Sequence, residues 1–439
     1  MKKSVFPLLA LSLLVLLFTS CRKEPLERVN PNNRKCKTYL QQFETIWQGM
    51  DQGYVFWEKD SVNWDDRYEK FKPIFEAFDA RPANKPVTAR EYAEAYQGLF
   101  EGLLDHHLTG RFYSPKGNFE TWVRPGRNDY SHTTTSAYER QLQVNILRDR
   151  AVPGTYVGFN PTTTPNGLVV PGSYTCLIEG TKPHEYIAYF RFTDFYFVQL
   201  ASNHHQISNW YSAELPVKAF YGPQYYNGMI TGAGYANSDS VVSLIIDLRG
   251  NTGGSVADLA PLIGSLSQSR TLVGYTRVKD GFGRLDYSPW TESYVECPSM
   301  HLNKPKPIVV LADINSVSCA ELATMLIKSL PNGTFIGERT YGAIGGLYSG
   351  EATNIYHDLF YGGCFGDFEY FKDGPNPYAD VFSYYVYTST FHMVDANYND
   401  VEGFGVQPDI QLGYSRNSLE AGRDAALNRA IMYLHQLDH

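Results

Sequence analysis

Two loops in this sequence carry the residue types that acyl transfer needs. The first, Asp247-Leu-Arg-Gly-Asn-Thr-Gly-Gly254, has glycines that let bare backbone N–H groups approach a ligand closely. The second, Asn315-Ser-Val-Ser-Cys-Ala-Glu321, places Ser318 at the mouth of a helical run. There the positive end of the helix favours negative charge developing beside the hydroxyl. A nucleophile beside oxyanion donors is the minimum equipment of a serine hydrolase. Each loop also has a plainer reading. Ser318-Cys-Ala-Glu321 fits a capping box, with Ser318 as N-cap and Glu321 at the third helical position. The glycine loop fits a tight strand-to-helix turn. It has neither a Walker lysine nor GxGxxG spacing, so a nucleotide site is poorly supported. Ser316 is a second hydroxyl close to Ser318.

The elements around these loops decide how they are held. Each loop follows an apolar run with strand character, Val241 to Ile246 and Pro307 to Leu311, and a further strand is expected over Ile187–Phe192. Helices are expected over Ser255–Leu266 and Ser318–Leu330, with a last one starting near Ser418. Strand–helix alternation after Tyr186 predicts α/β architecture with central parallel strands. From Cys36 to about Thr109 the apolar residues step by three and four, as in Phe43, Trp47, Met50 and Tyr54. That spacing predicts a small helical bundle, broken at Pro73, Pro82 and Pro86. Between Arg111 and Glu185 the chain turns rich in Gly, Pro, Thr and Asn, predicting a small β-rich insert.

Composition narrows the function. The chain has 439 residues, 43% hydrophobic and 19% charged, so two or three globular domains are expected. The net charge of −8 and the lack of basic clusters argue against nucleic acid as a partner. Lys2-Lys3 followed by an apolar stretch from Val5 to Phe18 reads as an export signal. It ends in Leu17-Phe-Thr-Ser-Cys21, which resembles a bacterial lipobox with Cys21 as the lipidated residue; the plainer alternative is a cleaved signal with Cys21 incidental. Lipid there would anchor the chain to a membrane, in the cell envelope, rather than span it. The remaining cysteines, Cys36, Cys176, Cys297, Cys319 and Cys364, show no CxxC spacing, so one disulfide or none is expected and no zinc pattern. The 33 Tyr, 25 Phe and 6 Trp read first as packing, and second as the lining of a peptide or glycan groove. His132, His204 and His205 lack partners at metal spacing, and Asp194 reads as structural.

Taken together, four segments resemble the C-terminal-processing and tricorn-core serine peptidases. Asp247–Gly254 is similar to the family's DLRxNxGG and Ser316–Glu321 to its S-x-S-[AC]-x-E turn. Gly337-Glu-Arg-Thr-Tyr-Gly342 is similar to GExTxG, and Gly405-Val-Gln-Pro-Asp-Ile410 to GVxPD[IV]. The resemblance implies Ser318 as nucleophile, with oxyanion donors from Gly253 or Gly254 and from Cys319. The processing branch takes its lysine base just after GExTxG. Here that position is Ala343, and no lysine lies between Gly337 and Gly350. The tricorn-like branch resembles the chain better. Leu104-Asp-His-His-Leu-Thr109 is similar to its D-G-H-T, which implies His107 as base with His106 as the alternative, and Glu402 stands where its glutamate occurs. By type alone, His107 also suits a helix end, Asp105 a helix-terminal acceptor and Glu402 a solvated loop.

The resulting expectation is an α/β protein with a crotonase-like catalytic domain over 186–439. It would be preceded by a signal (1–20), a tether (21–35), a helical bundle (36–110) and a β-rich insert (111–185) in which no PDZ motif is evident. As the resemblance implies, it would cleave extended or unfolded polypeptides through Ser318, with no metal or organic cofactor. A peptide- or glycan-binding lipoprotein on the same scaffold is the alternative, and an esterase using the same serine a third.

Overall fold

The computed structural model describes residues 35–124, 137–164, 167–203, 210–222, 234–281, 283–299, 301–346, 364–366, 381–413 and 415–437. The export signal, Cys21 and most of the tether lie outside the described residues, as do His132, His204 and His205.

Three helices form the N-terminal bundle: α1 (Tyr39–Gly53), α2 (Trp64–Asp79) and α3 (Ala89–Phe100). Each starts on a polar cap, Thr38, Asn63 and Thr88, whose side-chain oxygen accepts an orphan backbone N–H. Glu91 completes a capping box with Thr88. Contrary to the expected break, α2 runs straight through Pro73. An interior proline costs about 3 kcal/mol. Phe71, Phe75 and Phe78 are buried around it, and Phe75 stacks on Phe43 at 4.7 Å, so tertiary packing outweighs the lost bond. The actual breaks fall at 54–63 and at 80–88, which holds Pro82 and Pro86.

Strands β1 (Thr109–Ser114) and β2 (Phe119–Val123) extend this core rather than leaving it, since Phe112 stacks on Tyr96 at 3.8 Å. The expected insert over 111–185 therefore does not form a unit of its own. Its described residues include a helix, α4 (Ala137–Arg150), and two strands, β3 (Val157–Phe159) and β4 (Ser173–Glu179). Both strands join the central sheet, β4 pairing antiparallel with β5 (Tyr186–Phe192). Turn-rich composition marks where loops lie; it does not say which sheet the short strands between them enter.

The chain continues through α5 (Phe197–Ser202), α6 (Trp210–Tyr221) and β6 (Val241–Asp247). A hairpin follows, β7 (Thr271–Val278) and β8 (Thr291–Val295), then β9 (Ile308–Ala312), α7 (Cys319–Ser329) and β10 (Gly333–Gly337). Last come β11 (Tyr384–Tyr387), β12 (Phe391–Asp395), β13 (Ile410–Gln411), α8 (Arg416–Glu420) and α9 (Ala425–Leu437). The seven-stranded sheet has the order β13-β10-β9-β6-β5-β4-β3. From β13 to β5 every pairing is parallel, with Ile308 opposite Leu244 and Leu311 opposite Asp247. Such strands bury both faces. Leu244, Ile246, Ile308 and Val310 enter one apolar core with α7, while Ile245, Val309 and Leu311 enter another with Leu427 and Leu434 of α9.

Two helix expectations change. Ser255–Leu266 is a chain of short 3-10 and π turns, because Pro261 has no N–H to give the carbonyl of Ala257. The C-terminal helix is split into α8 and α9 around Gly422, whose φ is 72°. Phe195-Tyr-Phe197, which has strand composition, makes a single bridge to Gly254 before α5 starts. Strand β11 returns late in the sequence to pair with β1, so Phe382, Tyr384 and Val386 close the core of the N-terminal bundle. The five described cysteines are all unbridged.

Candidate active site

The two loops singled out above leave the carboxyl ends of adjacent parallel strands, β6 and β9, where open α/β sheets place their ligands. Buried charge fixes the first loop. Arg249 reaches Asp247 at 2.6 Å and, with both terminal nitrogens, Asp424 at 2.8 and 2.9 Å. Tyr189 donates to Asp247 at 2.6 Å. Burial alone would push the Asp247 carboxyl up, but Arg249 and Arg191 beside it hold it down at about 2. The Asp and Arg of this motif are thus struts, tying β6 to the start of α9.

Beyond them, Asn251 organises the turn. Its amide donates to the Phe192 carbonyl, its side-chain oxygen accepts the Gly253 N–H, and its backbone carbonyl accepts the Val317 N–H. The last bond links the glycine loop to the serine loop. Gly253 has φ 90°, and a Cβ there would lie 2.7 Å from the Val317 carbonyl and 2.8 Å from Ser318 Cβ, so only glycine lets the loops touch. Because its N–H is engaged by Asn251, Gly253 supplies close approach, and of the two expected glycines Gly254 is the one whose N–H is left to donate. Among the described residues the Gly254 and Cys319 N–H groups have no hydrogen-bond partner.

The serine loop separates its two hydroxyls. Ser316 is fully buried, accepting from the Asp313 N–H and donating to the Leu248 carbonyl, so it braces the loop. Ser318 is partly exposed, with φ 58° and ψ −117°. An ordinary N-cap has extended backbone; a non-glycine residue inverted like this stores on the order of 1–3 kcal/mol of strain. The plain-cap reading is therefore insufficient for Ser318. Cys319 is sequestered, its thiol donating to the Gly254 carbonyl and pushed up to about 12 by burial.

A strap of four residues, Gly342 to Gly345, runs past the serine. Its first two N–H groups donate to Glu321 (2.7 and 2.8 Å) and its last two to Glu402 (both 2.9 Å). The Ala343 carbonyl accepts the Ser318 N–H. Ala343, at the position where a lysine would be needed for a Ser–Lys pair, is fully buried. Glu402 also accepts the His106 N–H at 2.9 Å, which brings the histidine loop to the strap. It is not a solvated loop carboxylate: it is fully buried, and burial and then the nearby Asp105 push its pKa well above the ordinary range.

Asp105 is fully buried too: one oxygen accepts the His107 N–H and the Ser389 hydroxyl, the other the Ser389 N–H and the Thr388 hydroxyl. A ring nitrogen of His107 and one carboxylate oxygen each of Asp105 and Glu402 lie within 4.8 Å of one another. His106 instead sets its ring against Tyr341, centroids 4.9 Å apart. Of the two histidines, His107 is the one gathered with the carboxylates. The same three residues are the candidate metal ligands, but Asp105 already accepts four hydrogen bonds and Glu402 three, which suits an imidazole support better than a cation.

Residues 229–412 match the model of Peptidase family S41. Over that stretch the chain is similar to peptidase family S41. No curated protein matches the sequence. Among solved structures, a Parabacteroides merdae ATCC 43184 protein assigned to the peptidases is 18% identical, covering 91% of this chain and 97% of its own at a TM-score of 0.57. Mature CPAF complexed with lactacystin is 12% identical, covering 92% and 98% at 0.51, and mature CPAF is 12% identical, covering 91% and 97% at 0.52. These likenesses establish a shared mixed α/β fold across nearly the whole chain, the region before residue 229 included.

The roles of three residues went unread in the sequence. Glu321 looked like a cap partner. Thr340 and Asp424 carried no signal beyond lying in or near a motif, yet Thr340 donates to Glu321 at 2.6 Å and accepts the Val406 N–H at 2.7 Å.

Proposed function

We propose that this chain is a serine endopeptidase of peptidase family S41 that cleaves extended or unfolded polypeptides by acyl transfer through Ser318. The observation carrying this reading is the inverted backbone of Ser318 at the mouth of α7, facing a glycine loop whose Gly254 N–H is unengaged among the described residues. In the proposed reaction the Ser318 hydroxyl attacks the scissile carbonyl and passes its proton to His107. Gly254 and Cys319 N–H groups receive the oxyanion, each worth about 2.7–4 kcal/mol of transition-state stabilisation. Asp105 and Glu402 fix the histidine loop, each accepting one of its backbone N–H groups. His107 then returns the proton to the leaving amine, and water releases the acyl group. The chain would act while tethered by lipid at Cys21 in the cell envelope; among the described residues no helix is long and apolar enough to cross a membrane.

The test is hydrolysis of an unfolded, fluorescently labelled protein by residues 22–439, alongside Ser318→Ala and His107→Ala. Loss of activity in both variants, with folding intact, supports the serine–histidine peptidase. Loss in the serine variant alone moves the base to His106. An inert wild type overturns the reading in favour of a ligand-binding lipoprotein. Membrane fractionation of the full chain against Cys21→Ser tests the anchor.

A further inference from the structure

We infer that Glu321 is a positioning residue, holding Ser318 in its attacking conformation and setting its register against the histidine loop. This rests on the proposed acyl transfer through Ser318.

Glu321 is fully buried on the first turn of α7. Among the described residues no cation pairs with it; four donors converge on its two oxygens instead. Oε1 takes the Thr340 hydroxyl (2.6 Å) and the Gly342 N–H (2.7 Å). Oε2 takes the Ala343 N–H (2.8 Å) and the Ser318 N–H (3.1 Å). A capping glutamate needs only the last of these. The other three bind segments remote in sequence, and each leads elsewhere in the site. Ala343 returns its carbonyl to the Ser318 N–H, so the inverted peptide at Ser318 is held from two sides. Thr340 passes the connection to Val406, in the segment that follows Glu402. The strap's next two N–H groups are on Glu402, which also holds the histidine loop. Glu321 is thus the acceptor shared by the Ser318 peptide and the strap, and the strap leads on to the histidine loop through Glu402. Burying such a carboxylate is unfavourable, and burial pushes its pKa up. A chain needing only a helix cap could use an exposed Gln or Glu there.

The conservative variant Glu321→Gln swaps one acceptor oxygen for an amide that faces two donors. The strap or the Ser318 peptide must then shift. A displacement of about 1 Å costs about 100-fold in rate where geometry limits the chemistry. We expect kcat for the labelled protein to fall by about 10- to 100-fold with KM within about twofold. Labelling of Ser318 by a fluorophosphonate, which reads activation of the serine without a polypeptide substrate, should slow in proportion. Thr340→Val, which removes one donor on the oxygen remote from Ser318, should lower both rates by a smaller factor; it decides the matter if Glu321→Gln does not fold. A lowered melting temperature with kcat and labelling within twofold of wild type overturns the inference and leaves Glu321 a structural cap. A wild type that neither hydrolyses nor labels overturns the proposed function, and this inference with it.

Discussion

Replacing Gly253 by alanine adds one methyl group at the contact between the two loops. Two costs follow from its geometry. At φ 90° an L-residue pays about 1–2 kcal/mol of backbone strain. The new Cβ would also lie 2.7 Å from the Val317 carbonyl, 2.8 Å from Ser318 Cβ and 3.1 Å from the Cys319 nitrogen. Two of these neighbours are backbone atoms and the third sits on the candidate nucleophile, so no flexible side-chain end can swing away. Overpacking of this kind costs about 1–3 kcal/mol, giving a stability loss of about 2–5 kcal/mol in urea unfolding. Relief requires the glycine loop to back away from Ser318, taking the Gly254 N–H with it. Loss of one oxyanion donor lowers kcat by about 100- to 1,000-fold. Gly154→Ala is the control, because Gly154 has φ 80° but nothing within 4 Å of its added Cβ. It should share the backbone strain and leave kcat unchanged. If folded Gly253→Ala kept kcat within about threefold of wild type, the assignment of the donors to this loop contact would be refuted.

Other perturbations test the surroundings. Arg249→Met leaves Asp247 and Asp424 buried without their cation and should cost about 3–5 kcal/mol in urea unfolding; a loss under about 1 kcal/mol would contradict the strut role. Burial pushes Asp258 up to about 6, above the usual 3.8, while it caps Phe197 and Val198. Its protonated form is favoured in the fold, so its contribution is fully present below about pH 4 and lost as pH rises through 6. That amounts to about 3 kcal/mol across the window, and Asp258→Ala should flatten the stability–pH slope there by that amount. Cys319, at 1% exposure and with its thiol held up near 12, should resist iodoacetamide at pH 8 in the folded protein and react only after unfolding, as mass spectrometry of the modified peptide would report.

The sequence carries the parts of this site better than their assembly. Ser318 was legible because an apolar strand, a polar turn and a helix start surround it. Its inverted backbone was not, since φ is set by the Ala343 and Glu321 contacts to its N–H, which come from other segments. Gly253 and Gly254 were indistinguishable as donors until Asn251 was seen to engage one of them. Glu321 obeyed a local capping pattern that hides three long-range bonds. The bundle was readable from helical spacing, but its closure by β11 was not, because pairing between β1 and β11 leaves no local trace. The strands at 157–159 and 173–179 joined the central sheet for the same reason: composition names a strand, and only register names its neighbour.

The nucleophile and the histidine belong to different apolar cores. Cys319 and Ala320 pack with the central sheet, whereas Leu103 and Leu108, on either side of the histidine pair, pack with the helical bundle. If the two cores open separately, as cooperative units can, each half of the site would exist without the other. The sheet could then stay folded, with Ser318 already inverted, while the bundle is open and His107 is absent. A newly made chain would pass through such a state in one order or the other, and in either order it would hold half a site. Proton transfer between Ser318 and His107, as proposed, would then require both halves docked.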